Sequence, residues 1–446
     1  MSLAVRPETL SGWGRVPRVE GVGVHPDDRA EAIGAAALAA GAIPRGNGRA
    51  YGDAAIGRDL TIHARRLDRF VAFDADTGLL VGEGGLLLAD ILAVMVPRGW
   101  FMPVVPGTRF VTLGGMVAAD VHGKNHHAAG SMADHLAWIE VIDGDGIVRR
   151  CSRTEDPDLF AATCGGMGLT GIICTVALHL RRIETAMIRQ HRLRMRNLDA
   201  AIDAFEAHQE MTYSVAWIDC LATGASLGRS ALFLGEHATR AELPADRRAD
   251  PLRLPAGGSR PVPIDFPDFA LSTPVVRAFN ALYYRRQWDA DGLVDMMPYF
   301  FPLDSLLDWN RIYGARGFVQ YQCVLPLETS AAGLRRLLAA IAAVGAGSFL
   351  GVLKRMGEQS FGLMSFPRSG YTLALDFPAS PANLALLDRL DGITADHGGR
   401  IYLAKDARAA PAAMAGYDRR AAFRAFRRAR GLDSRFASRL SQRLDL

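Results

Sequence analysis

The sequence predicts an α+β protein of two domains. Its 446 residues exceed what one hydrophobic core usually organises, so two domains are the natural expectation. Residues 1–180 alternate short strand and helix patterns, as α/β domains do. Beyond residue 180, longer amphipathic stretches and alternating strands take over. We therefore predict a first domain over 1–180, a second over 181–395, and a C-terminal segment over 396–446 that returns to the first domain.

Two helices are predicted in the first domain from the signals at their ends. An alanine-rich helix follows Asp28, because acidic residues favour a helix start, and it runs to about Ala40 before Gly41 ends it. Residues 86–98 are predominantly apolar and predict a second helix, which Gly99 stops.

Strands are predicted where short apolar runs flank turn residues. Two hairpins are expected in the first domain, at 70–83 around Ala-Asp-Thr-Gly and at 139–149 around Asp-Gly-Asp-Gly. In the second domain, alternation predicts strands at 318–324 and 371–377. The segment 254–274 contains five prolines and predicts a long irregular loop.

Charge and cysteine content exclude several protein classes. The net charge of +4 is too small for a nucleic-acid-binding protein, and the five cysteines show neither a disulfide framework nor zinc-ligand spacing. No secretory signal or membrane span is visible, so a cytoplasmic protein is expected. Residues 418–446 hold nine Arg against three Asp. They form either a solvated helical face or a surface that attracts an anionic membrane or a phosphorylated substrate.

Three glycine-rich loops lie in the predicted α/β domain, at 44–54, 106–127 and 164–171. Glycine lets backbone N–H groups approach an anion closely, and runs of such amides form anion-binding nests. Several loops are needed to surround a dinucleotide. The acidic partner of a dinucleotide-binding Rossmann fingerprint and the lysine of a Walker A loop are both missing, so ordinary NAD and ATP sites are disfavoured.

At these loops the sequence resembles the vanillyl-alcohol-oxidase (PCMH-type) flavoproteins, through 45–54, 106–115 and 165–173. The narrower motifs HGKNHH at 122–127, DWNR at 308–311, FVQYQ at 318–322 and YLAKD at 402–406 resemble the decaprenylphosphoryl-β-D-ribose oxidase family. The resemblance implies a two-subdomain PCMH-type FAD-binding domain plus a cap, or substrate, domain with an antiparallel β-sheet.

The resemblance also implies a set of residues that bind FAD. They are Arg45, Gly46, Asn47, Gly48, Arg49, Tyr51, Gly52, Asp53, Gly107, Thr112, Gly114, Gly115, His122, Gly123, Lys124, Asn125, Gly168, Ile172 and Tyr402. Arg49 stands where members with covalent flavin have a histidine, so FAD is expected to be non-covalent. Ala374 stands where mycobacterial members have the cysteine that nitroaromatic inhibitors trap.

Lys405, Gln322 and His122 are the expected catalytic residues. Lys405 follows a strand-like 401–404 and, by resemblance, lies beside flavin and substrate, where a cation stabilises developing negative charge. The alternative is a surface lysine paired with Asp406. His122 is either a base or a packing residue under the flavin, and we favour flavin contact.

Substrate is expected to contact Gln320, Gln322, Lys354 and Lys405. The two glutamines share one strand face at a period of two, where they would hold sugar hydroxyls or simply face solvent. Lys354 ends a glycine-containing strand and would bind phosphate or hydroxyl. The histidines of HGKNHH lack zinc spacing, so no metal is expected.

The expected function is FAD-dependent oxidation of the 2-hydroxyl of a polyprenylphosphoryl-β-D-ribose, the first half of an epimerisation to the arabinose form used in cell-wall synthesis. An NAD(P)H-dependent keto-reductase would be the partner enzyme, with peripheral contact at the inner face of the membrane. The alternatives are an oxidase of a free alditol or aldonolactone, and a non-catalytic flavin- or nucleotide-binding scaffold.

Overall fold

The computed structural model describes residues 4–38, 40–255 and 258–446, which fold into three main sheets. The first sheet has the strand order β1-β2-β4-β3, in which β1 and β2 are antiparallel and the other pairs are parallel. Its strands are β1 (Arg6–Ser11), β2 (Arg18–Val24), β3 (Ala42–Arg45) and β4 (Leu60–His63).

The second sheet is antiparallel, with the order β5-β6-β10-β8-β9. The strands of this region are β5 (Phe70–Phe73), β6 (Leu79–Glu83), β7 (Trp100–Phe101), β8 (Leu136–Ile142), β9 (Val148–Cys151), β10 (Ile172–His179) and β11 (Arg181–Arg182), with β7 and β11 paired separately. Both predicted hairpins, β5–β6 and β8–β9, are confirmed.

The third sheet is an eight-stranded antiparallel sheet with the order β16-β12-β14-β13-β19-β20-β18-β21. The strands from here on are β12 (Met187–Met195), β13 (Tyr213–Ile218), β14 (Ser230–His237), β15 (Arg260–Pro261), β16 (Ala290–Asp295), β17 (Leu306–Leu307), β18 (Phe318–Pro326), β19 (Val352–Met356), β20 (Gly370–Pro378) and β21 (Arg400–Ile401). The short β15 and β17 pair with each other. The antiparallel sheet expected in the second half of the chain is therefore confirmed, and so is the α+β class.

Helices cover the sheets and connect them. They are α1 (Arg29–Ala37), α2 (Leu88–Met95), α3 (Leu113–Ala118), α4 (His126–Ala129), α5 (Pro157–Thr163), α6 (Leu198–Ala207), α7 (Ala245–Arg248), α8 (Thr273–Arg285), α9 (Met296–Phe300), α10 (Leu327–Val344), α11 (Pro381–Asp396), α12 (Arg420–Ala429), α13 (Leu432–Arg435) and α14 (Arg439–Leu444). None of them, within the described residues, has the length and apolar character of a membrane span.

The predicted start of the first helix and the predicted end of the second are confirmed, whereas α1 ends at Ala37, before the predicted end at about Ala40. Asp28 caps α1, because its carboxylate accepts the Glu31 N–H at 2.9 Å. Helix α2 continues as a 3₁₀ turn to Arg98, and Gly99 ends it with φ = 80° in the left-handed region.

The C-terminal segment lies against the first sheet. Ala42 bridges Phe436, and Gly57 bridges Ser438. The nine arginines of 418–446 largely serve this packing, since at least seven of them bond within the chain; for example, Arg430 pairs with Asp156 at 2.8 Å. The domain boundaries at 180 and 395 stay predictions.

One local expectation was wrong. The predicted strand over 401–404 is shorter, because β21 ends at Ile401 and the chain then turns, with the Lys405 N–H donating to the Tyr402 carbonyl at 2.9 Å. The proline-rich segment 254–274 is irregular over most of its described residues, as predicted, and contains only β15, a 3₁₀ turn and the start of α8.

Candidate active site

A cleft of about 880 Å³ lies between the two smaller sheets and the eight-stranded sheet. The three glycine-rich loops line one wall, which we call the loop wall. Strands β18, β19 and β20 line the opposite wall, which we call the sheet wall, and the turn after β21 borders both.

Most of the residues predicted from the sequence line this cleft. They are Gly46, Asn47, Gly48, Arg49, Tyr51, Gly107, Thr112, Gly114, Gly115, His122, Gly123, Lys124, Gly168, Gln320, Gln322, Lys354, Tyr402 and Lys405. The sequence motifs are far apart along the chain, and the fold brings them to one cavity.

Five predicted cofactor residues do not line the cleft. Arg45 donates to the Ser11 and Ala55 carbonyls, Asn125 donates to the Pro103 carbonyl at 2.8 Å, and Ile172 is buried in the apolar core beneath the first sheet. Asp53 pairs with Arg443, and Gly52 packs against the backbone of residues 406–407. These residues support the walls instead of forming them.

The loop wall offers unpaired backbone N–H groups. The N–H groups of residues 47–50 donate to no acceptor among the described residues, and Gly48 has φ = 63°, in the left-handed region that glycine favours. Asn47 ties the first loop to the second by donating to the Phe110 carbonyl at 2.7 Å. A run of free amides in a tight turn is an anion-binding nest.

The second loop leaves open space beside this nest. A Cβ atom added at Gly107 would meet no protein atom within 4 Å, although Gly107 lines the cleft. Next to it, Thr112 caps α3 by accepting the Gly115 N–H at 3.2 Å. The nest and the open space together fit a ligand with a pyrophosphate, such as FAD.

The sheet wall carries a buried carboxyl group that the sequence analysis missed. Gln320 stands opposite Asp376 in the β18–β20 register, and its Nε2 donates to Asp376 Oδ1 at 2.5 Å. Asp376 is 1% exposed and lines the cleft. The sequence contained an indication of this position: the resemblance places Ala374 at the site, and residue 376 shares a strand face with residue 374 at a period of two.

Lys405 lies beside this carboxyl group. Its Nζ is 3.6 Å from the centroid of the Tyr51 ring, a cation–π contact. Burial lowers the pKa of Lys405. The Asp376 carboxyl group partly offsets this shift, and the Lys354 cation lowers the pKa further. Burial raises the pKa of Asp376, against the effects of Gln320 and Lys405. The pKa values of Lys405 and Asp376 are therefore closer to each other than those of a free lysine and a free aspartic acid.

The predicted alternative for Lys405, pairing with Asp406, is not observed. Asp406 Oδ2 instead accepts from Arg443 at 2.8 Å, and the same guanidinium bonds Asp53 at 2.7 Å. Arg443 thus joins the C-terminal helix to the first glycine loop and to the AKD motif. This arrangement leaves the Lys405 side chain to the cleft.

His122, on the second glycine-rich loop, lines the cleft as a neutral imidazole. Burial, with smaller effects from Lys354, His126 and Lys405, lowers the pKa of His122 well below its usual value. Its Nε2 lies 3.0 Å from Gln322 Nε2, which makes His122 Nε2 the acceptor and assigns the proton to Nδ1. Among the described residues, Nδ1 is buried and has no partner, as expected at a ligand site.

Two further lysines, Lys124 and Lys354, line the cleft. Burial lowers the pKa of Lys124 to about 7 and that of Lys354 to about 8. Lys124 Nζ donates to the Tyr299 carbonyl and lies 4.2 Å from the centroid of that ring. No carboxylate lies within 4 Å of either ammonium among the described residues, so the cleft suits an anionic ligand.

One end of the cleft is apolar and reaches the surface. The rings of Trp217 and Tyr283 are in contact, with centroids 4.6 Å apart and planes tilted by 54°, and Phe279, Phe349 and Leu306 extend this lining. Phe279 and Leu306 are 45% and 40% exposed, so this end opens to the outside. The cleft therefore combines a nest, a charged centre and an apolar mouth.

The histidines of the HGKNHH motif do not form a metal-binding group in the described part of the chain. Glu8, His25 and His63 could do so, but none of them lines the cleft. Glu8 already accepts a hydrogen bond from His63 at 2.7 Å.

Comparison with known proteins agrees with these features. Residues 23–152 match the FAD binding domain family. The chain is 36% identical, over 98% of its length and 97% of the relative, to decaprenylphosphoryl-beta-D-ribose oxidase of Mycolicibacterium smegmatis. It is 27% identical to L-gulonolactone oxidase of Mus musculus over 30% of each chain. The BBE-like 1 structure of Physcomitrella patens shares the fold, with a TM-score of 0.65, 15% identity, and coverage of 93% of this chain and 90% of that one.

The cofactor follows from the family match and the site together. The protein is an FAD-dependent oxidoreductase, and the free amides of the first loop, the open space at Gly107 and the unpartnered Nδ1 of His122 fit this cofactor. The structure does not bear on whether the flavin linkage is covalent, so non-covalent binding stays a prediction.

Proposed function

Since the chain belongs to the decaprenylphosphoryl-β-D-ribose oxidase family, we propose that it oxidises the 2-hydroxyl of a polyprenylphosphoryl-β-D-ribose to a 2-keto sugar. The observation that carries this proposal is the charged centre of the cleft. There, Lys405 stands beside Asp376 and Gln320, between the loop wall and an apolar mouth. A sugar phosphate with a lipid chain has a polar part and an apolar part that match these regions.

We assign Lys405 as the group that accepts the proton of the reacting hydroxyl. Because burial lowers its pKa, a useful fraction of the amine is unprotonated near neutral pH and can accept a proton. As the C–H bond at the reacting carbon breaks, its electron pair leaves as hydride and the O–H proton passes to Lys405 Nζ, which leaves a C=O group. When bound, FAD supplies the acceptor for that hydride.

Neighbouring residues orient the sugar and its phosphate. Gln320 and Gln322 project from the same face of β18 and can hydrogen-bond ribose hydroxyls. Neutral His122 accepts from the Gln322 amide at 3.0 Å and so fixes that amide's direction. Lys354 and Lys124 supply cations for phosphate, because each ammonium is poorly solvated and lacks a carboxylate partner within 4 Å among the described residues.

The proposed product implies a second enzyme. A 2-keto sugar becomes the arabinose form only if a hydride is delivered to the opposite face of the carbonyl, so we place an NAD(P)H-dependent keto-reductase next in the sequence. The lipid chain implies work at a membrane surface, and the five free, buried cysteines suit the reducing cytoplasmic side.

Flavin absorption in the purified protein tests the proposal. Anaerobic addition of a prenylphosphoryl-ribose should bleach the visible flavin bands, whereas prenylphosphoryl-arabinose should not bleach them at the same rate. Bleaching only by a free alditol or aldonolactone would contradict the lipid-linked substrate and favour the alternative oxidase. A flavin that no sugar bleaches would contradict catalysis itself.

A further inference from the structure

Large apolar side chains are exposed mainly in one part of the molecule. In the segment 264–306 they are Ile264, Phe266, Phe269, Val275, Phe279, Leu282, Trp288 and Leu306, and their exposed fractions range from 38% to 71%. A contiguous exposed apolar patch of this kind marks an interaction site more often than a solvated surface.

Helix α8 forms the centre of this patch. Val275, Phe279 and Leu282 are spaced i, i+4 and i+7, which places them on one stripe along the helix, and all three are at least 45% exposed. The helix is buried only at Val276 and Asn280, on a neighbouring stripe. Its apolar stripe is therefore about half exposed, and Phe279 also contacts Phe349 at the mouth of the cleft.

Positive charge borders the stripe. Arg277, Arg285 and Arg286 are exposed, and among the described residues they form no ion pair. Of the nearby carboxylates, Asp291 pairs with His191 and Asp268 pairs with Arg316, while Asp289 accepts the backbone N–H of Arg194. An apolar stripe with free arginines on its flanks is typical of helices that lie in the plane of an anionic membrane surface.

The patch is continuous with the mouth of the cleft. Phe279 and Leu306 belong to both, and Tyr283 on α8 packs against Trp217 inside the cleft. A lipid chain leaving the cleft through its apolar end thus emerges among the exposed side chains of α8. Trp288, which is 59% exposed, has the amphipathic side chain that prefers the headgroup level.

We propose that the face formed by 264–306, which we call the docking face, binds an anionic membrane surface with α8 lying in its plane. This inference rests on the proposed function, because the membrane holds the lipid-linked substrate. The docking face delivers that substrate: its prenyl chain stays in the bilayer while the sugar phosphate enters the cleft. The basic C-terminal segment is a weaker candidate for this contact, because at least seven of its nine arginines bond within the chain.

Vesicle binding by the FAD-loaded protein tests the docking face. The variant Phe269→Ser/Val275→Ser/Leu282→Ser changes only residues outside the cleft lining, and we expect at least a tenfold loss of binding to phosphatidylcholine–phosphatidylglycerol vesicles. The matched control, Val71→Ser/Ile147→Ser/Val344→Ser, removes three other exposed apolar side chains and should bind as the unsubstituted protein does. Equal binding by both variants would overturn the proposal.

Two further measurements separate the remaining outcomes. Brominated lipids should quench tryptophan fluorescence, and Trp288→Phe should abolish most of that quenching. A docking-face variant that changes the oligomeric state, with vesicle binding unaffected, would assign the face to a second copy of the chain instead.

Flavin bleaching by a water-soluble, short-chain prenylphosphoryl-ribose should persist in the docking-face variant. If this short-chain substrate does not bleach the flavin of the unsubstituted protein, the result counts against the proposed function and not against the docking face.

Discussion

One wall of the cleft is built from backbone, and the wall that faces it is built from buried polar side chains. On the loop wall, the amides of 47–50 and the space beside Gly107 depend on glycine conformation. On the sheet wall, Gln320, Asp376 and Lys354 project from neighbouring strands, and each charge is held against a desolvation cost. The loop wall can therefore be predicted from local sequence, whereas the buried acid of the sheet wall, Asp376, is located only by the fold.

Loss of Lys405 should have the largest effect. Lys405→Met keeps the volume and removes the amine, so we expect the rate of anaerobic flavin reduction to fall about 100- to 1,000-fold, with FAD still bound. Rapid-mixing absorbance at the flavin bands measures this rate.

The control for Lys405 is its neighbour on the sheet wall. Lys405→Met/Asp376→Asn removes both charges and so avoids leaving a buried carboxylate without a cation. If the double variant regains fast flavin reduction, the loss in Lys405→Met was a charge imbalance and Lys405 is not the proton acceptor. A fall of less than threefold in the single variant would contradict the assignment directly.

On the loop wall, Gly107→Ala should act on the ligand alone. An added Cβ meets no protein atom there, so the apoprotein should unfold at an unchanged temperature while the Kd for FAD rises about tenfold or more, since space needed by the ligand is filled. Fluorescence titration of the apoprotein with FAD measures the affinity.

Two glycines provide controls for this prediction. Gly46→Ala places its Cβ 2.2 Å from Thr112 Oγ1, so it should lower the unfolding temperature of the apoprotein itself. Gly392→Ala, in α11, also meets nothing and should change neither FAD affinity nor flavin reduction. An unchanged FAD affinity in Gly107→Ala would show that the cofactor does not pass this loop.

The sequence predicted the two walls unequally, for a physical reason. Glycine clusters and the HGKNHH motif are local, so the loop wall could be located before the fold was known. Asp376 was missed because its partners, Gln320 and Lys405, are 56 and 29 positions away and meet it only through strand pairing and a turn. The turn itself was predicted as a strand, since four apolar residues carry no signal for where β21 ends.

Substitution of Lys354 measures how much its buried charge on the sheet wall destabilises the protein. Its folded-state pKa of about 8 lies below the usual 10.5, so the unfolded chain binds more protons and the apoprotein should lose stability as the pH falls from about 10.5 to about 8. Lys354→Met removes this penalty and should stabilise the apoprotein by about 1–2 kcal/mol at pH 7, after allowance for water in the cleft.

Thermal unfolding of the apoprotein across this pH range measures the effect. Lys354→Met should flatten the pH dependence, and its advantage should vanish near pH 10.5, where the unfolded lysine is half deprotonated. Lys354→Arg keeps the charge and should not stabilise the protein. A Lys354→Met apoprotein less stable than its parent at pH 7 would contradict a desolvated cation at this position.

Ala374→Cys should have the smallest effect on turnover and the largest on chemical reactivity. Ala374 lines the cleft opposite Gln322, and a sulfhydryl group there fills little space, so flavin reduction should change less than about threefold. Burial raises the pKa of all five native cysteines, so the parent protein should resist maleimides. The variant should take up one equivalent and lose activity, with substrate protecting it. Labelling without inactivation would mean that this part of the sheet wall lies away from the reacting sugar, and would leave the loop wall as the better-defined half of the site.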